Sequence, residues 1–248
     1  MFKLASFLIA VASTALAGAA AAQTVVDFNA ASDDPARAQI EPVLRDAVPA
    51  VEAFFGVPFP EPVHFVLAKD RSAFDAAFPA AWEMGATQCW MVGVGVADFL
   101  VMLSPGVWAT QVCDHSGSAD EVRGILTHEL VHTYHGQHNP TRDFTGAEDA
   151  GWFVEGLAVL VSGQLTEERL EAVREAVRRG EGPTSLETVW AGRSRYGQAG
   201  SLVQFVDQTW GRARLNTLLE ARNTAELLSQ LETTEADLIR DWRAWLVR

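Results

Sequence analysis

Apolar residues recur at helical spacing over residues 37 to 55, with Ile40, Val43, Leu44, Ala47, Val48, Val51, Phe54 and Phe55 marking one face. Pro42 suits the first turn of such a helix, whereas Pro49 predicts a kink or a split. Gly56-Val57-Pro58-Phe59-Pro60 is a stop signal. Val63 to Ala68 is apolar and β-branched and reads as a strand. Asp70 to Phe78 reads as a short helix, and Gln88 to Val96 and Asp98 to Leu103 as two further strands. Gly93 and Gly95 mark a twist, bulge or turn there. Residues 23 to 36 are small and polar and read as a loose leader.

From Ser118 the pattern becomes helical. Ser118 and Glu121 stand at capping-box spacing ahead of a buried stripe of Ile125, Leu126, Leu130 and Val131. Asp149 to Val161 is a mostly apolar helix, and Thr166 to Arg179 an amphipathic one. Pro183 to Trp190 reads as a connection. Tyr196 to Trp210, Arg212 to Arg222 and Thr234 to Val247 are further helices. Strands followed by helices predict an α+β fold. Residues 23 to 248 read as a single domain, with an α/β part over about 37 to 138 and a helical part over about 148 to 248.

The first 22 residues fit a secretory signal peptide. Lys3 precedes an apolar run over roughly Leu4 to Leu16, and Ala20-Ala21-Ala22 offers an A-x-A cleavage site before Gln23. Export to the periplasm or beyond is the expectation, with no stable membrane insertion after cleavage. Loss of Lys3 with this segment takes the formal net charge from −13 to −14. So acidic a chain argues against nucleic acid as a partner, since phosphate-backbone binding needs a Lys and Arg surplus. Cys89 and Cys113 have one possible pairing in an exported chain, and a disulfide between them is expected.

Four of the six histidines fall in His128 to His138, HELVHTYHGQH. Residues four apart share one helix face, so His128 and His132 present two imidazoles to one ion, with Glu129 one step round. A catalytic zinc takes three protein ligands and keeps its fourth position for water. Glu129 is then placed to act as general base toward that water.

Two residues compete for the third ligand position. His138 follows His128 by ten residues, as in H-E-x-x-H-x-x-G-x-x-H. However, His135 stands where that motif needs glycine, and every methionine lies upstream, where no Met-turn can form below the site. Glu155 is the only acid from Gly151 to Val161, and a carboxylate on an apolar helix needs a partner. Glu155 is the better candidate, completing a His2Glu set for one zinc.

HELVH followed by Trp152-Phe153-Val154-Glu155-Gly156-Leu157-Ala158 resembles gluzincin-type metallopeptidases, in particular the bacterial peptidase MA-like domains. The resemblance implies a zincin-like fold, a bound Zn2+, Glu155 as third ligand, and a peptide or protein substrate. It also implies an oxyanion donor at Tyr196, which opens a helix further along the chain from the E-G-x-A helix. It departs at Val159, where thermolysin-like relatives carry an aspartate that orients the first histidine; that partner must come from elsewhere. Two other functions compete with an exported metallopeptidase: a non-catalytic binding or assembly module on the same fold, and a zinc hydrolase of amides in cell-wall peptides. Of the remaining residues, His135 and His138 read as helix-end, solvent-facing or cleft-lining, and His64 as exposed. Trp108 and Trp152 read as core, and the Phe99 to Leu103 strand as a candidate edge for aligning a peptide.

Overall fold

The computed structural model describes residues 26–30, 34–82 and 85–248. The segment read as a signal peptide, residues 1–22, lies outside the described residues. The first part of the chain runs β1 (Val26–Asn29), α1 (Arg37–Phe55), β2 (Val63–Ala68), α2 (Arg71–Ala76), β3 (Gly93–Val96), β4 (Phe99–Leu103) and α3 (Trp108–Gln111). The long helix α4 (Ala119–His138) follows. Then come α5 (Gly151–Val161), α6 (Glu167–Arg178), α7 (Leu186–Val189), α8 (Arg195–Trp210), α9 (Arg212–Thr217), α10 (Thr224–Gln230) and α11 (Glu235–Leu246). The fold is α+β: a mixed four-stranded sheet with helices, then a mainly helical part.

The sheet order is β1-β2-β4-β3. β1 pairs parallel with β2, β2 parallel with β4, and β3 antiparallel with β4. β4 is therefore interior. Its run from Leu100 to Leu103 is fully buried, which explains a sequence without polar alternation. The edge strands are β1 and β3, and the one against α4 is β3, not the Phe99 to Leu103 strand expected to supply the edge, because β2 and β3 cover both sides of β4. β1 also corrects the reading of residues 23 to 36 as a loose leader. Val26 pairs with Val63, and Phe28 stacks on Phe65 at 4.8 Å, so this strand forms through its partner rather than through its own pattern. The strand expected from Gln88 begins only at Gly93.

Gly93 and Gly95 have a different purpose from a twist or bulge. Residues two apart on a strand share a face, and both glycines face α4. A Cβ at Gly95 would stand 2.2 Å from the backbone oxygen of Glu129, and one at Gly93 would stand 2.9 Å from the Glu129 Cγ. Bare backbone is what lets the edge strand lie directly on the helix carrying HELVH.

α1 runs as one helix through both Pro42 and Pro49, so Pro49 does not split it. Six buried residues from Ile40 to Phe55 bind it to the core, and that packing outweighs the hydrogen bond Pro49 cannot donate. α4 is capped by Ser118, whose hydroxyl accepts from the Glu121 amide at 3.3 Å. The expected capping box is only half made, because the Glu121 carboxylate turns to Ser116 and Gly117 instead. In the second part, α5 and α8 pack almost backbone to backbone: a Cβ at Gly156 would lie 2.5 Å from the Ala199 carbonyl oxygen, and one at Gly200 2.7 Å from Val159. The expected connection at Pro183 to Trp190 holds the short α7, and α10 occupies residues assigned no element from the sequence.

Candidate metal centre

α4 presents His128 and His132 on one face, one turn apart. α5 lies across that face and brings in Glu155. His128 Nε2 and His132 Nε2 are 3.0 Å apart, Glu155 Oε2 is 3.3 Å from His128 Nε2, and Glu155 Oε1 is 3.7 Å from His132 Nε2. The three side chains form a group able to hold one metal ion. Both histidines are buried and Glu155 is half-buried.

The chemistry of the three atoms fits a cation. Nδ1 of His128 donates to Oε1 of Gln164 at 2.9 Å, which puts the imidazole proton on Nδ1 and a bare lone pair on Nε2. That lone pair faces the His132 Nε2 and a carboxylate, a set of acceptor atoms that a cation between them, or a proton on His132, satisfies. Ligand atoms about 2.0–2.1 Å from a tetrahedral zinc stand roughly 3.3 Å from one another, the spacing seen here. Burial pushes the Glu155 carboxyl up, but the charges and hydrogen bonds of His132 and His128 outweigh it and hold the group well below the usual carboxylate range. Nδ1 of His132 has no hydrogen-bond partner among the described residues.

Glu129 sits beside this group, against β3. Burial pushes its carboxyl up to about 7; the His128 charge opposes this, Glu155 adds to it, and the Gly95 amide opposes it. Glu129 and His128 line a cleft of about 390 Å³ with Trp90, Met91, Gly93 and Gln164, and with Tyr196 at the start of α8. The Tyr196 hydroxyl is made less acidic by burial and then by the charges of Glu155 and Glu129, with Arg195 opposing. Of the residues singled out from the sequence, His128, His132 and Glu155 make up the group, Glu129 adjoins it and Tyr196 lines the cleft.

His138 does not join them. α4 continues through Gly136 to His138 instead of breaking, so His138 lies about 15 Å along the axis from His128. Its ring stacks on Tyr134 and its Nδ1 donates to the Tyr134 carbonyl at 2.8 Å. Gly136 serves another end: a Cβ there would strike the Arg142 carbonyl oxygen at 2.6 Å and the Ala97 nitrogen at 2.7 Å. His135 is buried against Phe144 and Phe153, not solvent-facing or cleft-lining. Burial, then the neighbouring His132, carries its pKa down to about 3, so it stays neutral. Trp108 and Trp152 are fully buried core residues, and His64 is exposed.

Sequence reasoning missed Gln164. It supplies the support for His128 that Val159 cannot, from the turn between α5 and α6, with its side chain over Gly124. The disulfide Cys89–Cys113 is formed, and its flanking residues Trp90, Met91, Asp114 and His115 make one side of the cleft. A disulfide fits an oxidising compartment. No helix of the described residues is long and apolar enough to cross a membrane. No protein-family model and no curated protein matches this chain.

Proposed function

We propose that this protein is an exported zinc metallopeptidase. The observation that carries the reading is the meeting of His128, His132 and Glu155 around one point, with Glu129 beside it and facing an open cleft. His128, His132 and Glu155 would hold a zinc ion, which would supply a Lewis acid and lower the pKa of a bound water to about 7. The Glu129 carboxylate takes the proton of the attacking water and passes it to the leaving amine nitrogen. The Tyr196 hydroxyl donates a hydrogen bond to the carbonyl oxygen as charge builds there, a contribution worth about 10²–10³ in rate. Gln164 keeps the His128 ring in the tautomer that presents Nε2. The free edge of β3, which runs along the cleft at Gly93, aligns an extended peptide by backbone hydrogen bonds.

The test is to incubate the zinc-loaded protein and its Glu129→Gln variant with a broad peptide mixture and to read products by mass spectrometry. Wild type cleaves and is stopped by a chelator; Glu129→Gln keeps its zinc and cleaves nothing. Equal cleavage by the variant would overturn the mechanism. Zinc uptake without product from either protein would favour a binding module.

A further inference from the structure

Two arginines line the same cleft as His128 and Glu129: Arg169 in the first turn of α6, and Arg195 at the start of α8. Among the described residues neither pairs with a carboxylate. Arg169 gives one N–H to the Gln164 carbonyl at 2.8 Å, leaving the rest of its guanidinium available. Arg195 is held by two aromatic rings, its Cζ 5.0 Å from the Trp190 ring centre and 5.1 Å from that of Tyr196, and by a hydrogen bond to the Tyr196 side chain. The Cζ of Arg169 stands 6.0 Å from the same Tyr196 ring. Two cations thus flank Tyr196, which lines the cleft. A guanidinium has five N–H donors, so these contacts leave N–H groups on each arginine that can grip a carboxylate.

The chain carries 32 acids against 19 Lys and Arg, so it repels acidic peptides at long range. Inside the cleft the balance is local. Asp114 also lines it, but comes from the disulfide-linked segment, whereas Arg169 lies on α6, just after the turn that holds Gln164, and Arg195 lies on α8 beside Tyr196. We infer that Arg169 and Arg195 form a carboxylate subsite that selects peptides with an acidic group close to the scissile bond. The inference rests on the metallopeptidase reading above. Both arginine Cζ atoms stand within 6.0 Å of the Tyr196 ring centre, so the recognised group falls within one or two residues of the bond cut, at about 3.5 Å per extended residue. Such a carboxylate is either the free C-terminus of the substrate or an Asp or Glu side chain. A cleft of about 390 Å³ accommodates a short peptide end in either case.

The experiment uses the full zinc-loaded chain and a matched set of short peptides. One arm compares a free C-terminal acid with its amide; the other compares Glu with Gln at each of the two positions flanking the cut on either side. kcat/KM is measured for wild type, Arg169→Gln and Arg195→Gln. Binding of the same peptides to zinc-loaded Glu129→Gln protein is measured by calorimetry, which needs no turnover, and zinc content is checked in every variant. Wild type is expected to prefer the acidic member by about 10–100-fold, as a charge-assisted pair of hydrogen bonds allows. Each arginine variant is expected to bring that ratio toward unity, mainly through a higher KM for the acidic peptide. Loss of preference on amidation alone identifies the C-terminal carboxylate; loss on Glu-to-Gln exchange alone identifies a side chain. Equal cleavage of acidic and neutral peptides, or a preference left intact in both variants, overturns the subsite while leaving the peptidase reading standing. Preferential binding of acidic peptides with no cleavage of any supports the subsite and overturns the peptidase reading. Neither binding nor cleavage of any peptide overturns both.

Discussion

Nδ1 of His128 donates to Oε1 of Gln164 across 2.9 Å, joining the central helix to the turn that follows α5. This bond selects which imidazole nitrogen faces Glu155. Gln164→Leu keeps the bulk over Gly124 and removes the acceptor. Zinc affinity is expected to fall about 10–100-fold, the usual worth of a partner that orients a ligand histidine. A competition titration against a coloured chelator measures it. Unchanged affinity would mean that His128 is held by something other than Gln164.

The approach of β3 to α4 leaves no room for a side chain at Gly95, since a Cβ there would meet the Glu129 backbone oxygen at 2.2 Å. Backbone cannot rotate away as a side chain can. Gly95→Ala is therefore expected to cost about 1–3 kcal/mol through overpacking and to lower Tm by several degrees. Gly85→Ala, with nothing within 4 Å of its added carbon, serves as the control and leaves Tm nearly unchanged. Equal melting of the two variants would show that strand and helix can separate freely.

Cys89 and Cys113 close a loop with a sequence separation of 24 and carry one side of the cleft between them. Loop-closure entropy alone puts the stabilisation at about 3.5 kcal/mol. The double variant Cys89→Ser/Cys113→Ser is expected to unfold at lower denaturant by that amount. A reductant should lower the Tm of wild type and leave that of the double variant where it is. A wild-type protein indifferent to reductant would contradict this.

Glu121 links acidity to stability. Burial raises its carboxyl, but the Ser116 hydroxyl, His115, and the amides of Ser116 and Gly117 outweigh it, and the pKa lies below the ordinary 4.5. A folded-state pKa lower than the unfolded one means the contribution is fully present above the unfolded value. It is lost as pH falls through the folded one. Stability should thus decline on acidification below about pH 4.5, and Glu121→Gln should decline less steeply over the same range. Parallel acid curves for the two proteins would remove Glu121 from the account.

Local chemistry made half of the site legible. His128, Glu129 and His132 declare themselves by the four-residue period of a helix, and Glu155 by being one acid in an apolar run. Neither inference needs to know where the chain folds back. Gln164 does need it: an amide in a polar turn looks like any other until His128 is brought to it from 36 residues away. The same limit explains the sheet. Phe99 to Leu103 reads as a strand, but only the pairing with β2 and β3 makes it interior, and β1 exists only because Val63 to Ala68 lies beside it. His135 looked like a helix-end residue, and the Phe144 segment folding over it makes it buried.

The central claim is that Glu155 completes a zinc site with His128 and His132. Zinc content per chain, measured after equilibrium dialysis against a graded zinc buffer for wild type and Glu155→Ala, tests it most directly. Wild type should hold one zinc per chain. Glu155→Ala should remain folded and bind more weakly by more than the roughly 10–100-fold that a supporting residue is worth. A wild-type protein that takes up no zinc, or a Glu155→Ala variant that binds it as tightly as wild type, would contradict the account.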